Sequence, residues 1–211
     1  MHIYLGNKNY SSWSLRAWLV LKHSGATFDE SVIPLDQAST KERIRTHSPS
    51  GRVPVLRHGD YTIWESLAIA EYLAELFPSA NLWPKQLTAR AVARAVSAEI
   101  HAGFAALRAH LPMDTRARYP MKQSSAQVDA DIRRIVAIWI DCRERFGNGG
   151  DFLFGPFTIA DAMYAPVVSR FVTYSVDLDP VAAAYREAVW QWPAMQEWVA
   201  AAQAEPWVIE Q

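Results

Sequence analysis

Up to about residue 77 the apolar residues keep a mixed strand and helix rhythm; after residue 87 the rhythm is helical throughout. His2, Ile3, Tyr4 and Leu5 form a short apolar run closed by Gly6 and Asn7, the pattern of a buried strand. From Trp13 to His23, Trp13, Ala17, Trp18 and the run Leu19, Val20, Leu21 recur at helical spacing. Serines 11, 12 and 14 suit the start of that helix and Gly25 suits its stop. A second strand is expected over 28–35 and a short basic helix over 39–46, with turn chemistry in Ser48-Pro49-Ser50-Gly51. Residues 53–56 and 61–64, joined through His58-Gly59-Asp60, predict a hairpin. Leu67, Ile69, Ala70, Leu73 and Leu76 then make the apolar stripe of a helix over 65–77.

The resulting order is β-α-β-α-β-β-α. Pro78 and Pro84 close that unit, and residues 79–86 read as a linker. Beyond it, helices are expected over 87–111 and 125–146, from Thr158, near 180–191 and from Pro193, with no strand. The chain is therefore predicted to be α+β: a mixed domain over 1–78 followed by an all-helical domain over 87–211.

Composition sharpens this picture. The chain has 211 residues, half of them hydrophobic, with a net charge of −1, which does not suit a protein that neutralises nucleic-acid phosphates. One cysteine, Cys142, excludes intrachain disulfides, CxxC chemistry and cysteine zinc clusters; no metal is expected. The first residues lack a secretory pattern, and no apolar run approaches the roughly 20 residues of a membrane span. A cytoplasmic protein with neither nucleic-acid nor membrane partners is the expectation. Nine tryptophans ask for a thick core or an apolar cleft.

Three patterns carry candidate chemistry. Val53-Pro54 at a strand start, with a cis bond between them, would offer the backbone of Val53 to an extended peptide. Glu65-Ser66 at a strand-to-helix junction sets a carboxylate beside a hydroxyl and a helix N-terminus, which suits an ammonium next to a carboxylate. The serines of Ser11-Ser12-Trp13-Ser14-Leu15-Arg16 could donate to a bound thiolate and lower its pKa. Each pattern also has a plain reading: an edge-strand proline, a dipole-complementing cap, a capping serine. For the first two, taken alone, the plain reading is the better one.

In combination these residues resemble the glutathione S-transferase superfamily over nearly the whole chain. The resemblance is carried by SSWSLR after strand one, SPSGRVPVL before the hairpin and WESLAIAEYL at the third helix. Thr158-Ile159-Ala160-Asp161 adds a match to the family's capping box in its helical domain. The resemblance implies a thioredoxin-like domain that binds glutathione, a helical domain that forms the cleft's other wall, and a homodimer. It is strongest to the serine-type, zeta- and theta-like classes. Ser11 or Ser12 would then stabilise the thiolate of glutathione, a cosubstrate, for attack on a small hydrophobic electrophile in detoxification. Val53, with Pro54, would hold the cysteinyl backbone, Glu65 and Ser66 the γ-glutamyl end, and Thr40, Lys41 or Arg52 the glycyl carboxylate.

The electrophile is expected between the domains, against Tyr10, Trp13, His101, Phe104 and Arg108, although His101 reads better as a hydrogen-bonded interface residue. Tyr10 keeps a tyrosine-type mechanism open. Two features depart from the zeta pattern: Trp13 stands where that class has cysteine, and Thr173 where it has a substrate-binding arginine. Arg170, one turn earlier, is the candidate substitute. Glutathione-dependent cis-trans isomerisation of the maleylacetoacetate type, and non-catalytic binding of hydrophobic ligands, are the alternatives to transfer. Arg116, Arg118 and Lys122, with Arg108, otherwise read as a solvated face, and the tryptophans near the carboxyl end as packing.

Overall fold

The computed structural model describes residues 1–121 and 123–210; Lys122, read above as solvated, lies outside them. Strands β1 (His2–Leu5), β2 (Asp29–Val32), β3 (Val55–His58) and β4 (Tyr61–Trp64) make one sheet in the order β2-β1-β3-β4. β1 pairs in parallel with β2 and antiparallel with β3, with Tyr4 opposite both Ser31 and Val55. Helices α1 (Ser12–Ser24), α2 (Thr40–Arg45) and α3 (Ser66–Leu76) complete the β-α-β-α-β-β-α unit. β2 is shorter than the expected 28–35, ending ahead of Pro34, whose missing N–H cannot continue a ladder. The Val53–Pro54 peptide is cis.

A 3₁₀ turn at Pro78–Ala80 leads to α4 (Leu87–Ala102), α5 (Ala105–His110), α6 (Ala126–Phe146), α7 (Ile159–Thr173), α8 (Pro180–Trp190) and α9 (Pro193–Ala204). The expected single helix over 87–111 is two. Gly103 turns extended, at φ −98° and ψ −168°, and Phe104 enters the left-handed region at φ 59°. Phe104 is thereby driven into the core, and Arg108 Nη1 turns back towards the open carbonyls of Ile100 and His101. Apolar spacing continues across the break, so periodicity alone does not register it. The break sets the wall of the site, because His101 and Ala102 end α4 there.

α1 is the shared element of the two units. Its Leu15, Ala17, Leu19 and Leu21 are fully buried, and it packs against both α3 and α7. Trp18 lies 5.3 Å from Trp198 of α9, whose indole donates to the Lys8 carbonyl. Arg16 donates through Nε to the carbonyl of Met163 in α7. The Thr158–Asp161 capping box forms as expected, and Asp161 also accepts from Leu153 N and Tyr185 Oη. No helix among the described residues is long and apolar enough to cross a membrane.

Candidate functional site

A cleft of about 300 Å³ opens where the start of α3 faces the end of α4. Its walls are Arg52, Val53 and Pro54 from the segment before β3, Glu65 and Ser66 from the β4–α3 junction, Trp13 from α1, and His101 and Ala102 from α4. Val53 precedes the ladder, which begins at Val55, and no backbone partner takes its N–H or C=O among the described residues. Ser66 is 1% exposed and its hydroxyl has no partner, although it sits at the N-terminus of an 11-residue helix. A buried hydroxyl left unmade costs stability. Beside an open helix end its hydroxyl is placed where it can donate to an anion. Glu65 holds φ 67°, a conformation uncommon for a side chain of its size, and this turns its carboxylate out of the helix start. That carboxylate reaches 3.9 Å from His101 Nε2. Burial and the nearby Arg16 hold His101 below its usual pKa, and its Nδ1 is buried without a partner.

The wall around Trp13 is strongly cationic. The Arg16 guanidinium carbon lies 4.2 Å from the Trp13 ring centre and that of Arg108 5.5 Å from it, while His101 meets the ring edge-on at 5.1 Å. Arg16 is fully buried; burial, then Arg170 and Arg108, lower its pKa to about 9. Its Nη1 and Nη2 are buried without partners.

Ser11 and Ser12 do not line the cleft but run directly into Trp13, at the N-terminus of α1. Ser11 caps the helix: it accepts from Ser14 N at 3.4 Å and donates its own hydrogen to Ser14 Oγ at 2.8 Å. Gly6 leaves room for it, since a Cβ there would meet Ser11 Oγ at 3.0 Å. Ser12 Oγ has no partner among the described residues. The two serines thus differ in their hydrogen bonds, a distinction the sequence left open.

Several expected site residues lie elsewhere. Thr40 is buried with its hydroxyl spent on the Pro34 carbonyl and the Gln37 N–H, and Lys41 is exposed on α2, away from the cleft lining. Phe104 is a core residue, for the backbone reason given above. Tyr10 accepts from Arg116 Nη2 and Ile209 N, and it lines a separate cavity with the carboxyl-terminal segment. Arg170, the candidate to replace the zeta arginine, is buried and donates to the carbonyls of Leu111 and Pro166, so it braces the fold and does not reach the cleft.

A family model for the glutathione S-transferase N-terminal domain matches residues 10–76, and one for the C-terminal domain matches residues 89–201. The chain belongs to the glutathione S-transferase family. A maleylacetoacetate isomerase of Rattus norvegicus is 28% identical over 177 residues, covering 80% of this chain and 77% of its own. A probable maleylacetoacetate isomerase of Caenorhabditis elegans is 27% identical over 173 residues, 80% and 78% of the two chains. The crystal structure of a glutathione transferase homolog from Burkholderia gl BGR1, with bound glutathione, matches at a TM-score of 0.73 and 26% identity, over 97% of this chain and 98% of that one.

For this glutathione S-transferase the α+β architecture is as the sequence implied. Two residues were missed. Arg16 was quoted within its motif without a role, although a helical arginine three positions after Trp13 shares that residue's face. Arg116, read as solvated, ties Tyr10 to the carbonyls of Glu205 and Trp207, a long-range contact with no local signal.

Proposed function

We propose that this transferase binds glutathione along Arg52, Val53, Pro54, Glu65 and Ser66 and holds its sulfur as a thiolate at the N-terminus of α1. The observation that carries this reading is the buried, unpartnered hydroxyl of Ser66 beside the free backbone groups of Val53. Together they leave unmet the hydrogen bonds that a γ-glutamyl carboxylate and an extended peptide backbone supply. Glu65 then takes the ammonium group and Arg52 the glycyl carboxylate. Ser12 donates to the sulfur, since its hydrogen is uncommitted, and the α1 dipole adds to the field that favours the anion. The thiolate forms a bond to an electrophilic carbon held against Trp13 and His101, and the leaving group departs with its electron pair.

The test is the pH dependence of turnover with an aryl chloride. Ser12→Ala is expected to raise the apparent pKa of bound glutathione and to cost about 10- to 100-fold at neutral pH. Ser11→Ala is expected to lower thermal stability with a smaller kinetic effect, because it removes a cap worth about 1 kcal/mol. The reverse pattern would transfer the donor role to Ser11.

The names of the two isomerase relatives favour a second reading, in which the thiolate adds to a carbon–carbon double bond, rotation follows, and it leaves again. Arg170 has no part in it. Absence of maleylacetoacetate turnover in the purified protein would remove this reading and leave transfer. A cytoplasmic, detoxifying homodimer completes the proposal. Tyr61, Trp64, Leu76 and Leu87, exposed large apolar side chains around β4, α3 and the start of α4, give the dimer its surface.

A further inference from the structure

We propose that Asn9, three positions before Ser12, is a positioning residue for the thiolate donor, so that the helical unit governs how readily bound glutathione ionises. This rests on the reading of Ser12 as the donor to the glutathione sulfur. The observation behind it is where the loop between β1 and α1 sends its hydrogen bonds. A connecting segment normally meets its backbone needs with turns or water. Here the four main-chain groups of Lys8 and Asn9 are met from the helical unit and the carboxyl-terminal segment. Lys8 N donates to Glu205 Oε1 at 2.7 Å and Asn9 N to Glu205 Oε2 at 3.3 Å, so one carboxylate takes two successive N–H groups. The Lys8 carbonyl accepts from the Trp198 indole at 2.8 Å and the Asn9 carbonyl from Thr115 N at 3.4 Å.

The Asn9 side chain is spent in the same direction. Its Oδ1 accepts from Thr115 Oγ1 at 2.8 Å and from Arg116 N at 3.0 Å, while its Nδ2 donates to Asp114 Oδ1 at 2.8 Å. Asn9 is fully buried, and each of its polar groups has a partner at least 105 positions away. Asp114 in turn accepts from Arg116 N and Ala117 N, and its carbonyl accepts from Thr173 Oγ1 on α7, which fixes this socket to the helical unit. One residue beyond Asn9, Arg116 Nη2 donates to Tyr10 Oη, and Ser12 N donates to the Tyr10 carbonyl at 3.1 Å. Asn9 and Tyr10 therefore carry the position of the socket to the backbone of Ser12. That position matters chemically. A hydroxyl favours a thiolate only while its hydrogen points at the sulfur, and a misplacement of about 1 Å costs on the order of 100-fold in rate. Ser12 Oγ has no protein partner among the described residues, so its aim depends on where its backbone sits. The peptide contacts assigned to glutathione come from elsewhere, the β4–α3 junction and the segment before β3. Loosening the socket is expected to weaken ionisation and to spare binding.

Two probes separate these effects in the full-length protein. S-methylglutathione, which has no thiol to ionise, reports binding by titration calorimetry. The ultraviolet absorbance of the thiolate, followed on bound glutathione from about pH 5 to 9, reports ionisation, in which the proton passes to solvent and the electron pair stays on sulfur. In Asn9→Ala the thiolate fraction of bound glutathione at pH 7 is expected to fall about ten-fold, with kcat for an aryl chloride falling alongside it, while the Kd of S-methylglutathione changes less than about two-fold. In a Ser12→Ala background the same substitution is expected to lower the thiolate fraction no further, because the donor it aims is gone. Glu205→Ala is expected to act in the same direction more weakly, and Glu205→Gln, which keeps one acceptor oxygen, to recover part of the loss. Glu205 is half-buried, so this pair carries the test if Asn9→Ala fails to fold by far-ultraviolet dichroism. An unchanged thiolate fraction in the folded variants, or an equal loss in the Ser12→Ala background, overturns the positioning role. So does S-methylglutathione affinity lost in step with ionisation, which would make the socket a part of the fold alone. Each of these results leaves the glutathione reading standing. A wild-type protein that binds neither glutathione nor S-methylglutathione overturns both.

Discussion

Cys142 on α6 is 1% exposed, and burial, reinforced by Asp141 and Asp161, pushes its thiol up to about 12. A thiol is nucleophilic only as the thiolate, so at pH 8 this sulfur is both inaccessible and protonated. The expected outcome is no reaction with an aromatic disulfide reagent in the native protein and one equivalent per chain after denaturation. Rapid modification of the folded protein at pH 8, with activity lost in step, would mean that the protein's own sulfur takes part. The contrast with Ser66 and Ser12 is instructive at this scale. Those two hydroxyls sit at helix starts; that of Ser66 is buried with no partner, and that of Ser12 has none among the described residues. The sequence names the serines readily, but not which one has its hydrogen free. That depends on Ser14 folding back to take the hydrogen of Ser11 and the N–H of Gly6, a loop closure that spacing does not encode.

The β4–α3 junction is where element geometry and function meet. Glu65 sits at φ 67° directly before a helix whose first turn contains no acidic residue. Holding a non-glycine residue there costs on the order of 1 kcal/mol, which a purely structural junction would relieve with glycine. Glu65→Gly is therefore expected to raise the unfolding temperature slightly while weakening glutathione affinity by about ten-fold or more, from the lost ammonium partner. Unfolding temperature by scanning calorimetry and affinity by titration calorimetry check the two halves. A variant that is less stable, or binds glutathione equally well, would show that the side chain serves the fold. The helix and hairpin here were legible in the sequence, because Leu67, Ile69, Ala70 and Leu73 repeat at helical spacing and His58-Gly59-Asp60 marks the turn. The α4–α5 break was not, because Gly103 can sit within a helical pattern and only the packing of Phe104 makes it a stop.

At the scale of the molecule, α1 belongs to the cores of both units at once, which decides how the protein unfolds. Its Trp18 meets Trp198, Arg16 reaches the Met163 carbonyl, and Asn9 just before it accepts from Thr115 Oγ1 and Arg116 N. None of these partners is within 100 positions in sequence, so periodicity gave the helices while their mutual placement rested on the resemblance. The mixed unit alone would expose the α1 surface that α7 and α9 cover, together with the loop that carries the serines. The full chain is therefore expected to unfold in urea as one transition, coincident by tryptophan fluorescence and far-ultraviolet dichroism. A fragment of residues 1–78 is expected to lack a cooperative transition and to bind no glutathione, even though it contains Arg52, Val53, Glu65 and Ser66. Two separated transitions in the full chain, or a folded fragment that still binds glutathione, would show that α1 needs only α3 and the sheet. The helical unit would then serve the second substrate alone.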